Sequence, residues 1–111
     1  MKKIIFFLIS LSVLTVLTSE ARVYKGQKEY IKNCKKCHNN GQEIAHSKQI
    51  SAWKKMMQNR GELLAKAHFE NPKAKKSWKY FKSDRYNKKS RDLKDFFVEY
   101  AEDSGNIPAC D

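Results

Sequence analysis

Strand-like alternation of polar and apolar residues is absent from this 111-residue chain, and so is any internal repeat. Neither a sheet nor a solenoid has a pattern to rest on, so helices are the expected elements and the fold class reads as all-α. The length leaves room for one domain. A long apolar run is missing too: the best, Ile4 to Leu17, contains Ser10, Ser12 and Thr15. It falls short of the ~20 residues a spanning helix needs. Lys2 and Lys3 precede this run, and Ser19-Glu20-Ala21 places small residues where a signal peptidase reads. The pattern predicts a signal peptide over 1–21, a mature domain over 22–111 and export to the periplasm. An uncleaved N-terminal anchor is the alternative. No cysteine stands at the cleavage point, which argues against a lipoprotein.

Acidic residues are scarce. The 12 Asp and Glu face 23 Lys and Arg, a formal net charge of +11. Without Lys2, Lys3 and Glu20 the mature part keeps a net +10. Such a field draws polyanions in general. Export argues against nucleic acid and leaves an acidic protein face as the simpler partner, with a merely solubilising surface as the bland reading.

Along the mature chain, Gly26 to Lys36 reads as a short helix with Tyr24, Tyr30 and Ile31 as its apolar residues. Asn39-Asn40-Gly41 signals a turn, and Gln42 to Gln49 reads as polar loop. From Ser51, a candidate N-cap, Trp53, Met57, Leu64 and Ala67 recur at helical spacing, with Gly61 as an interruption and Asn71-Pro72 as the stop. The segment Lys73 to Lys89 mixes lysines with Trp78, Tyr80, Phe81 and Tyr86. Lysines alone would be solvated, but four aromatics imply packing against something apolar. A last helix is expected from Ser90 or Asp92, with Leu93, Phe96, Phe97 and Tyr100 on one face and Gly105 and Pro108 ending it.

Cysteine is too rare for a disulfide framework: there are three, and Cys110 is the odd, penultimate one. The other two form Cys34-Lys35-Lys36-Cys37-His38. A structural zinc site would need a second Cys/His pair, and none follows. A redox dithiol would sit in a βαβ setting, which is missing. Cys-x-x-Cys-His is instead the attachment signature of haem c. Thiols three apart reach the two vinyl groups on one porphyrin edge, and the adjacent His38 supplies the proximal iron ligand. Covalent attachment keeps one haem on a small exported chain and gives it an apolar disc to fold around.

The chain resembles the class I cytochromes c. In that family a glycine and an aromatic precede the first cysteine on the first helix, as Gly26 and Tyr30 do here, eight and four residues before Cys34. The family's last helix crosses the first at that glycine, a role that Leu93, Phe96 or Phe97, and Tyr100 fit. The resemblance implies a small helical fold wrapped around one haem. It covers the two ends of the mature chain better than the middle. No proline follows His38 to orient its ring, and Pro72 to Ser90 lacks the family's distal methionine.

The sixth iron ligand is therefore open among Met57, His68, Met56 and His46. Met57 stands four before Gly61, as in some small cytochromes, but methionine on a helical stripe is also ordinary core filler. His68 would make a bis-histidine site, or else be a helix-end histidine. The function expected is single-electron transfer by a monomeric carrier docking on acidic faces of redox enzymes or other cytochromes, with Lys73, Lys75 and Lys76 as candidate docking lysines. It is not an enzymatic role. A haem-based gas or peroxide sensor with an open distal site is the alternative, and a haem-free basic binding module the third reading.

Overall fold

The computed structural model describes residues 19–107. The bulk of the expected signal peptide lies outside them, as does Cys110. Among the described residues there is no strand, and the fold is all-α. No helix among them is long and apolar enough to cross a membrane.

Helix α1 covers residues 19–33. It is followed by α2 Gly41–His46, α3 Ile50–Met56, α4 Gln58–Phe69, a 3₁₀ segment Pro72–Ser77, α5 Trp78–Phe81 and α6 Asp84–Glu99. The frame is the crossing of α1 and α6. A Cβ on Gly26 would collide with the Asp92 carbonyl oxygen and lie 2.8 Å from Phe96 Cβ, so only a bare backbone lets the helices come this close. One turn on, the Tyr30 ring meets Phe96 and Phe97, with centroids 6.0 and 6.3 Å apart. Leu93, Phe96 and Phe97 are all buried, as their spacing predicts. Trp53 from α3 stacks on Phe97 at 4.2 Å and 12° and donates its indole N–H to the Ala45 carbonyl, which locks α2 and α3 onto α6.

Several boundaries differ from the sequence reading. Helix α1 stops at residue 33, before Cys34, and turns carry the Cys34-x-x-Cys37-His38 motif. The expected loop over Gln42–Gln49 is largely helix α2, started by Asn40, whose side chain accepts the Glu43 amide. Helix α6 begins at Asp84 rather than at Ser90 or Asp92, because Ser83 caps the Tyr86 amide and Tyr86 is buried. It ends at Glu99 with Tyr100 as C-cap, ahead of Gly105. The long middle helix is broken: Asn59, Arg60 and Gly61 take φ of 50°, 58° and 71°. Gly61 faces Tyr86, whose hydroxyl donates to the Gly61 carbonyl at 2.7 Å. The aromatics of 78–86 do pack inward, with Phe81 and Tyr86 buried in the core.

Candidate functional site

The Cys34–His38 motif sits at the end of α1, and that helix is pinned on its buried side. Gly26, Glu29, Tyr30 and Asn33 share one face at helical spacing. Gly26 and Tyr30 pack on α6. The Tyr30 hydroxyl donates to the Asn39 carbonyl, tying down the chain just past His38. Glu29 is 3% exposed and fully engaged. Its Oε1 accepts from Asn33 Nδ2 at 2.9 Å, Tyr80 Oη at 2.8 Å and Arg85 Nε at 3.0 Å, and its Oε2 from Arg85 Nη2 at 2.8 Å. This forked pair joins α1 to α5 and α6. Tyr80's phenol is pushed up, first by burial and then by its hydrogen bond to Glu29.

Past that knot the chain turns: Cys37 and His38 both donate backbone N–H groups to the Cys34 carbonyl, at 3.1 and 3.0 Å. The tight turn aims Cys34, Cys37 and His38 at one cavity of about 390 Å³. Its far wall is the C-terminal half of α4, with Leu64, Ala67 and His68, closed below by Phe81. Lys73 and Lys76 also line it.

The two histidines face each other across this space, ring centroids 5.8 Å apart and planes at 76°. His68 is held on three sides. Its Nδ1 lies 2.7 Å from the Leu64 carbonyl. A carbonyl only accepts, so Nδ1 is the donor of this bond and Nε2 is the ring nitrogen left outside it. Its ring lies 4.2 Å from Phe81, and the Trp78 indole N–H donates to its backbone carbonyl at 2.7 Å. His38 is held below the ordinary 6.5, by loss of hydration first and by the neighbouring His68 second. The shift favours the neutral imidazole, the form that can bind a metal. The Cys34 thiol is pushed up to about 12, by burial, then by the negative charge of Glu29 and by Cys37.

Met57 is not in this cavity. It is 3% exposed in the core beside Gly61. Met56 packs on the same core, and His46 is exposed on α2. Of the four sixth-ligand candidates, the structure brings only His68 to His38. Lys73 and Lys76 reach the cavity and Lys75 is not on its wall.

No family model, no curated protein and no solved structure matches this chain. What the site can do has to be argued from its residues.

Among the described residues, no three His, Cys, Asp or Glu side chains gather closely enough to hold a metal ion. A haem asks less of the protein: its porphyrin supplies four nitrogens, and two axial groups complete the iron. Cys34, Cys37, His38 and His68 all line the one cavity, so a haem bound there would have two thiols and two imidazoles within reach. The residues present fit the group.

Sequence reasoning missed Glu29, Arg85 and Phe81 as supports of this site. Glu29 had a signal: it falls between Gly26 and Tyr30 on the face of α1 that must be buried. His68, already among the sixth-ligand candidates, had a signal in its place with Gly61, Leu64 and Ala65 at i, i+3, i+4 and i+7.

Proposed function

We propose that this chain is a monohaem c-type cytochrome that carries single electrons, with Cys34 and Cys37 as the thioether positions and His38 and His68 as the axial pair. The observation that carries the reading is two imidazoles facing each other across a cavity that both motif cysteines line. The resemblance to class I cytochromes c supports it through the Gly26 crossing. The haem supplies a reversible one-electron couple. The protein's part would be to orient two imidazoles, to surround the ring with Leu64, Ala67 and Phe81, and to place lysines at its margin.

Two imidazoles set a lower potential than an imidazole and a thioether. The carrier we infer is therefore a low-potential one, exported to the periplasm and docking on acidic faces of redox partners. His68 stands where the sensor reading would want an empty position, which favours the carrier. The deciding measurement is a pyridine haemochrome assay and ferric and ferrous spectra on the full chain made with haem-attachment machinery. Covalently retained haem with a low-spin spectrum that carbon monoxide leaves unmoved is expected. Colourless protein with both thiols free would falsify the proposal, and a carbon monoxide-sensitive spectrum would replace it with the sensor.

A further inference from the structure

A second cavity, of about 450 Å³, lies on the other end of α4 and shares no residue with the first. One wall is Gln58 with the left-handed Asn59 and Arg60. The other is α6, through Ser90, Arg91 and Lys94. Three cations converge here: Arg60, Arg91 and Lys94. No acidic side chain lines the cavity, and among the described residues none of the three forms an ion pair. Arg91 and Lys94 stand three apart on α6, so they are neighbours on one face. Gathering like charges around a concavity opposes folding unless something anionic offsets it.

The backbone gives a separate reason. Asn59 and Arg60 are the only non-glycine residues with positive φ among those described. Holding a side-chain-bearing Arg60 at φ 58° costs stability, and such residues persist where they serve a site.

We propose that this cleft between α4 and α6 binds a phosphate-bearing anion. Two guanidinium forks and an ammonium match the oxygens and the multiple negative charge of a phosphate group better than a single carboxylate. A soluble phosphate ester and a lipid headgroup share that chemistry. The site needs neither haem nor His68, so it stands independently of the electron-transfer reading.

The test is an NMR titration of the full-length, isotope-labelled chain with inorganic pyrophosphate, and in parallel its binding to phosphatidylglycerol vesicles. Saturable amide shifts confined to 58–61 and 90–94 are expected, with Arg91→Gln weakening binding roughly tenfold. Lys54→Gln, which removes the same charge from α3, should leave the affinity within about twofold. Arg60→Gly should weaken binding while leaving the melting temperature unchanged or higher, since glycine accepts the left-handed turn. A pyrophosphate response assigns a soluble phosphate ester. Vesicle binding lost in Arg91→Gln, with no pyrophosphate response, assigns a lipid headgroup. Absence of both overturns the site, as does equal weakening by Lys54→Gln or undiminished binding by Arg60→Gly.

Discussion

His68 and Met57 divide two jobs that the sequence left to either one. His68 donates from Nδ1 to its own helix and is backed by Phe81, so its free nitrogen is fixed in direction. Met57 touches the core and Gly61. The two alanine variants should therefore fail in opposite ways. His68→Ala should abolish the low-spin spectrum of the matured protein while costing little stability. Met57→Ala should leave the spectrum as it is and lower unfolding stability by about 3 kcal/mol, the usual cost of emptying a buried methionine site. A changed spectrum in Met57→Ala with an unchanged one in His68→Ala would reverse the assignment. The cysteines also differ in the haem-free chain. With its pKa up at about 12, Cys34 is thiolate in only about one molecule in ten thousand at pH 8. Cys37 is exposed. Alkylation of the folded, haem-free chain at pH 8 should modify Cys37 first, and Cys34 only when the pH approaches 12 or denaturant is added. Mass mapping of the labelled peptides checks this. Equal labelling under native conditions would mean that the cavity does not shield Cys34.

At the scale of elements, the crossing of α1 on α6 holds the fold; its parts are legible local patterns, while the crossing itself is what the resemblance to class I cytochromes c implied. Gly26 and Tyr30 stand one turn apart, and the Leu93-Phe96-Phe97 face repeats at helical spacing. Gly26→Ala should cost about 3 kcal/mol or more, since the new methyl meets backbone rather than a movable side chain. Chemical denaturation measures it, and a loss below about 1 kcal/mol would mean the helices can part without penalty. The elements that escaped sequence reading depend on partners far along the chain. The break in the middle helix announces itself only through Gly61, while Tyr86, 25 residues later, donates the hydrogen bond that holds it. Tyr86→Phe should cost about 1 to 2 kcal/mol by leaving the Gly61 carbonyl without its donor. The first turns of α6 are polar apart from Tyr86, so periodicity begins only at Leu93 and the helix reads too short. Helix α2 is six residues and buries only Gly41 and Ala45. Its Asn40-x-x-Glu43 start was the legible cue. The cavity could not be read at all before folding, because its two walls come from 34–38 and 64–68 and meet only when α4 is placed by α6.

For the whole molecule the governing quantity is charge. The net +11 is a property of the entire surface, but association rates respond to where charge lies relative to the exchanging group. Lys73 and Lys76 line the same cavity as the two imidazoles, and Lys35 and Lys36 are built into the motif. Lys54 and Lys55 sit on α3, whose residues take no part in that cavity. A partner steered by the global field would respond to either pair equally, whereas one that docks over the cavity would distinguish them. Reversing Lys73 and Lys76 to Glu should slow reduction by an acidic partner about tenfold at 0.01 M salt, where the Debye length is about 30 Å. Reversing Lys54 and Lys55 removes the same total charge and should slow it by less than about threefold. At 1 M salt, with screening inside about 3 Å, all three proteins should converge. Stopped-flow reduction across that salt range measures both differences. Equal slowing by the two double variants would move the docking surface away from the cavity that holds His38 and His68.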